Sequence, residues 1–168
     1  MTPEQLTTLK AAILAETDPT FVALRNTNET GQMVEWLNQL TNPEYKIALS
    51  NVQTSQIGKV INYIAFESLT TANRDKLMSF ISLNPSSFDG TRSDVRALLS
   101  SDTGSGVFSG ALGGQGANTR AALLNIMIIT ANRAEKIFST GAGTILSPST
   151  SSFIGKLDHR DLVAAFNT

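Results

Sequence analysis

The sequence predicts an all-α protein: a single-domain multi-helix bundle over residues 1–168, broken by one Gly/Ser-rich internal loop. Three observations predict it. Apolar residues recur at helical spacing through most of the chain. Thr, Asp and Asn stand ahead of those runs, often with Pro just behind, as helix-start signals. No stretch alternates apolar and polar residues over the length of a strand. At 168 residues the chain has the size of one ordinary domain and can bury a core without staples.

Thr2-Pro3-Glu4-Gln5 opens the first helix, with Thr2 as N-cap, Pro3 at the first helical position and Gln5 closing a capping box. Leu6, Leu9, Ile13 and Leu14 carry it to about Glu16. Asp18-Pro19 repeats the start signal for a short helix holding Phe21, Val22 and Leu24. Thr30 caps a third, Gly31 to Leu40, with Val34, Trp36, Leu37 and Leu40 as its apolar contacts. Asn42-Pro43-Glu44 opens a brief fourth segment with Tyr45, Ile47, Ala48 and Leu49. A clearer helix starts at Thr54 or Ser55, where Ile57, Val60, Ile61, Ile64, Ala65 and Leu69 form one stripe. Thr70-Thr71 ends it and caps the next, whose stripe is Leu77, Met78, Phe80 and Ile81 and which Asn84-Pro85 stops. Thr91 or Ser93 starts a short segment with Val95, Leu98 and Leu99.

From Ser100 to Asn118 the chain turns Gly/Ser-rich, with Phe108 and Leu112 as two large apolar side chains in otherwise small and polar sequence. Interior glycines cost about 1 kcal/mol each relative to Ala, so this stretch is expected to be a loop and not regular helix. The longest helix is expected from Thr119 to about Ser139, apolar around most of its middle and therefore central. Gly141 suits a left-handed position just past its end. A C-terminal loop of about 140–157 contains Pro148, and Asp158 caps a last helix with Leu162, Val163, Ala165 and Phe166. Gly106-Val107-Phe108 and Thr144-Ile145-Leu146 are the nearest candidates for strands, and both are too short for more than an incidental one.

Charged residues make up 16%, well below the usual level of about 25%, and Ser, Thr, Asn and Gln take their place. An uncharged polar surface loses less desolvation energy on contact with another protein. With 13 basic and 14 acidic residues and no Lys/Arg run, the chain lacks the basic excess that drives phosphate binding, so nucleic acid is not an expected partner. Cysteine is absent, which excludes disulfides and thiolate metal sites. Met1-Thr2-Pro3-Glu4-Gln5 has neither the basic nor the apolar region of a signal peptide, and Ile126–Ile129 falls far short of a membrane span. A soluble protein made in the cytoplasm of the expressing cell is expected.

The glycine-rich stretch lacks the Lys-Ser/Thr pair that closes a phosphate loop and the strand that precedes one, so nucleotide binding is set aside. Gly141-Ala142-Gly143 follows a helix, where termination accounts for it. His159 is the only histidine, and its neighbours Asp158 and Asp161 read as helix-start residues and not as a triad or a zinc set. Trp36, the only tryptophan, reads as a core or interface anchor. Arg133 and Lys136 lie one turn apart as a small basic strip. No catalytic residue, cofactor site or metal site is expected. Phe108, Leu112, Arg120 and Arg133 are the expected protein-interface residues.

Asn118-Thr119-Arg120-Ala121-Ala122-Leu123, then Thr130-Ala131-Asn132-Arg133-Ala134-Glu135-Lys136-Ile137-Phe138, then Ser139-Thr140-Gly141-Ala142-Gly143-Thr144 and Pro148, resemble small helical proteins of tailed-bacteriophage structural gene blocks. Asn132 stands where that pattern usually has Thr. Leu9 to Ala15 and the segment around Trp36 share the same look. The resemblance implies a virion component of the neck or tail region, a head–tail connector or tail-associated subunit, with no catalytic residues and no cofactor. The implied partners are the chain itself, as a cyclic homo-oligomer, and portal or tail proteins. On that reading deletion of residues 104–116 abolishes assembly but spares the fold. The alternative is a phage-encoded module that binds a host protein and stays outside the particle.

Overall fold

In a computed structural model the structure describes residues 1–110 and 113–168. Most of it is helix, with only short strands, as the helical periodicity predicts. Elements run α1 (Pro3–Ala15), α2 (Pro19–Asn26), α3 (Thr30–Leu37), β1 (Lys46–Ala48), β2 (Val52–Gln53), α4 (Ser55–Val60), α5 (Tyr63–Glu67) and α6 (Thr71–Leu83). They continue with β3 (Ser87–Phe88), α7 (Ser93–Ser100), α8 (Gly113–Met127), β4 (Ile128–Thr130), α9 (Arg133–Ile137), β5 (Ser139–Thr140), β6 (Thr150–Ser151) and α10 (His159–Phe166). The chain forms two compact units, one of residues 1–47 and 130–168 and the other of residues 48–129. No composition shift in the sequence marks either crossing.

In the first unit three caps form where the sequence places them, at Thr2, Asp18 and Asp158. Thr30 is instead the first residue of α3, Glu29 stands at its N-cap with no side-chain hydrogen bond, and the helix ends at Leu37, short of the expected Leu40. Thr2 Oγ1 accepts from the Gln5 N–H at 3.2 Å, and Gln5 Oε1 accepts from the Thr2 N–H at 2.9 Å. Asp18 caps α2 through the N–H groups of Thr20 and Phe21. Asp158 caps α10 through Arg160 and Asp161. The donated N–H groups hold the Asp158 carboxyl below its usual range. That cap therefore stabilises above the ordinary carboxylate range and is lost as acid protonates it. α10 packs on α1 and α3, α2 packs on α3, and α9 lies against α1 and α3. Their inward residues, Leu9, Ile13, Phe21, Met33, Leu37, Ala134 and Leu162 among them, make one apolar cluster.

Two helical expectations fail, each for its own reason. The segment after Pro43 is the strand β1, because its backbone groups find tertiary partners: Tyr45 O accepts from Ala131 N–H at 2.8 Å and Lys46 N–H donates to Gly143 O at 2.7 Å. The expected helix of Thr119–Ser139 ends at Met127. Ile128-Ile129-Thr130 puts three β-branched residues in a row, which favours an extended chain. Asn132 then starts α9 afresh with a capping box, its side chain accepting from the Glu135 N–H at 2.7 Å. A short antiparallel ladder, Ser139 opposite Ser151 and Thr140 opposite Thr150, follows α9. Gly141 has the expected positive φ of +129°, but it follows this ladder and does not terminate a helix.

In the second unit α8 is the central helix, packed by α4, α5 and α7. The Gly-rich stretch therefore does not stay a loop to Asn118: α8 is already helical from Gly113. Gly113 and Gly114 stand in the first turn, where a glycine interrupts no helix interior, and Gly116 is buried with Thr119, Leu123 and Met127. The single helix expected over Thr54–Leu69 is two. Asn62 breaks it by capping α5, accepting from the N–H groups of Ile64 and Ala65. Thr70 caps α6 as expected. β2 and β3 pair antiparallel, Val52 opposite Phe88, a contact that four strand residues do not announce in sequence.

The turn before α8 is part of the core. Val107 and Phe108 are fully buried with Leu99, Leu123 and Met127. Val107 N–H donates to Leu98 O at 2.8 Å. Gly106 is required there, since a Cβ would collide with the Ser101 carbonyl oxygen. Val107-Phe108 is a turn and not a strand.

Candidate functional site

The first unit holds a cleft of about 310 Å³ lined by Glu16, Trp36, Thr41, Arg133, Lys136 and Ile137, with Leu37 and Asn42 completing it. α3 brings Trp36 and Leu37, and α9 brings Arg133, Lys136 and Ile137. The capping box at Asn132 fixes where α9 begins, and with it the one-turn spacing that aims both cations at the same cleft.

Trp36 is held on both sides. Its ring packs against Phe21 with centroids 4.6 Å apart. The Arg133 guanidinium lies over it, Cζ 3.8 Å from the centroid. Arg133 Nη1 also donates to Trp36 O at 3.0 Å and to Gln39 Oε1 at 2.7 Å. The arginine is thus locked in place by stacking and two hydrogen bonds, which fits a planar cation better than a lysine. Lys136 is exposed, its Nζ 5.4 Å from the Tyr45 ring centroid. Glu16 uses Oε1 to accept from the N–H groups of Thr17 and Asp18. Thr41 is buried and satisfied, donating to Ala131 O at 3.1 Å and accepting from Tyr45 N–H at 2.9 Å.

Beside this cleft stands a rigid turn. Tyr45 donates its hydroxyl to Gly141 O at 2.9 Å and shares a 2.6 Å hydrogen bond with Ser149 Oγ. Gly143, at φ +67°, passes directly under the Tyr45 ring, where any Cβ would overlap it. The turn is closed by Thr144 N–H to Ser147 O at 3.1 Å and Ser147 N–H to Thr144 Oγ1 at 3.0 Å. At its tip Ile145 is 50% exposed and Leu146 93% exposed.

The expected interface residues fall in different places. Phe108 is fully buried in the second unit and Arg120 Nη1 donates to its carbonyl at 2.9 Å, so these two meet as a core turn and its support. This corrects the expectation that Phe108 faces a partner: apolar neighbours on α7 and α8 already cover it. Leu112 lies outside the described residues. Arg133 is at the cleft, with Lys136, as the basic strip suggests. The sequence reading missed Leu146, although two large aliphatic residues inside a Ser/Thr/Gly stretch are a signal. His159 opens α10, its Nε2 2.8 Å from Thr30 Oγ1. Among the described residues no group of three or more His, Cys, Asp or Glu is placed to hold a metal ion.

The second unit has its own apolar surface along α6, where a groove of about 450 Å³ is lined by Ala72, Asp75, Lys76, Ser79, Leu83 and Leu98, with Phe80. Leu83 is 81% exposed there. The groove is open and has no arginine locked over an aromatic ring as the first cleft does, which makes the latter the candidate site. No helix among the described residues is long and apolar enough to cross a membrane. No protein family, curated protein or solved structure matches the chain.

Proposed function

We propose that this chain is a non-enzymatic structural component of a tailed-phage virion, a head–tail connector or tail-associated subunit that works by assembly. Its partners are further copies of itself, as a cyclic homo-oligomer, and portal or tail components, and it is carried in the particle after synthesis in the host cytoplasm. Both units serve one helical domain over residues 1–168, with the Gly/Ser-rich segment as the connector that leads into α8.

The observation that carries the assembly reading is the Ile145–Leu146 turn. A single exposed leucine is ordinary. Two adjacent aliphatic side chains on a hydrogen-bonded turn, fixed at its base by Tyr45, are a surface shaped for contact. The virion assignment is supported by the likeness of Asn118–Leu123 and Thr130–Thr144 to small helical proteins of phage structural gene blocks. Mass spectrometry of purified particles tests it: the chain is expected in every preparation at a fixed low copy number. Its absence from particles, with a host protein recovered on it instead, makes the chain a regulator and overturns the proposal.

A further inference from the structure

We propose that the Ile145–Leu146 turn of one copy of this chain seats in the cleft between Trp36 and Ile137 of another copy, so that the protein assembles through its own knob and socket. The inference deepens the assembly reading and rests on it.

The knob is preformed. Its turn is closed by two hydrogen bonds and its base is held by Tyr45, so little freedom is lost when it docks. Leu146 is the most exposed large apolar side chain among the described residues, at 93%. The socket matches it in size and chemistry: about 310 Å³, more than one leucine side chain needs, with Trp36, Leu37 and Ile137 as apolar lining.

The polar groups match as well. No charged residue lies between Ser139 and Ser152, so the turn brings no ion to be stripped of water. The backbone carbonyls of Ile145 and Leu146 have no hydrogen-bond partner among the described residues. The socket offers donors for them in Lys136 and Asn42, and Lys136 forms no ion pair among the described residues. Acceptors on one surface therefore face donors on the other, which fixes the register of a contact whose centre is apolar.

Knob and socket are different patches of one unit, placed on either side of Tyr45: its ring meets Lys136 on the socket and its hydroxyl meets Gly141 on the knob. A contact between unlike patches links each copy to the next and closes as a reciprocal pair or a larger ring. One insertion buries less than the roughly 1,000 Å² of a specific interface, so closure, which gives every copy two insertions, is what makes the contact stable.

The absence of native cysteine allows a direct test. Ser147→Cys, beside the knob, and Lys136→Cys, on the socket rim, are purified separately, mixed and mildly oxidised, with Leu83→Cys as an exposed control. The 147–136 mixed disulfide is expected to dominate, with little 147–83 or 136–83 product, and Leu146→Asp is expected to reduce the wild-type mass to that of a monomer with unchanged circular dichroism. An oligomeric wild type without the 147–136 disulfide overturns the knob and socket but leaves assembly standing. A wild type that is monomeric at every concentration overturns both.

Discussion

Replacing Phe108 with Ala is expected to destabilise the second unit by about 3–5 kcal/mol, the range for emptying a fully buried aromatic site. Phe108 is fully buried among Leu99, Leu123 and Met127, and Arg120 Nη1 donates to its backbone carbonyl. The change reads out as a lower urea midpoint with an unchanged slope. A variant with wild-type stability would place the ring outside the core and contradict the fold described above. The same geometry reverses one expectation from sequence. Deleting residues 104–116 removes Val107, Phe108 and the first turn of α8, so it unfolds this unit and cannot isolate an assembly function.

Replacing Glu135 with Ala is expected to cost about 2–4 kcal/mol, because it leaves the buried Asn132 N–H and the part-buried Gly155 N–H without their acceptor, and a buried donor left unsatisfied costs about 1–3 kcal/mol. Glu135 is 5% exposed and makes no salt bridge among the described residues. Its carboxylate instead accepts from two backbone groups, Asn132 N–H at 2.9 Å and Gly155 N–H at 2.9 Å. Asn132 completes the arrangement by donating to Gly155 O at 2.8 Å. Glu135 therefore ties the start of α9, which carries Arg133 and Lys136, to the chain that returns before α10. Glu135→Gln keeps one acceptor oxygen and is expected to lose less than Glu135→Ala. Thermal unfolding of the two variants gives the order, and equal stabilities would contradict the paired-acceptor role.

Four caps were legible in the sequence because a cap is local chemistry, although no side-chain cap forms at the expected starts of α3, α4 and α7. Thr2, Asp18, Thr70 and Asp158 each act on backbone groups two or three residues away, and each does so here. What was not legible depends on distant partners. β1 is extended because Gly143 and Ala131 bond its neighbourhood from far along the chain, and no pattern within Tyr45–Leu49 encodes that. The break after Met127 was readable in principle from three consecutive β-branched residues, but the apolar stripe masked it. Gly113–Gly116 misled in the opposite direction, since packing by α4, α5 and α7 outweighs the cost of glycine in α8. Of the candidate site, Arg133 was visible as part of a basic strip, Trp36 as an anchor without a location, and Leu146 only after exposure was known.

Every function proposed for this chain depends on its joining copies of itself. Native mass spectrometry of the purified protein at micromolar concentration tests that most directly. It predicts one discrete closed species at a whole-number multiple of 17.9 kDa, persisting on dilution to near the physiological range. A single species of 17.9 kDa at every concentration would contradict it.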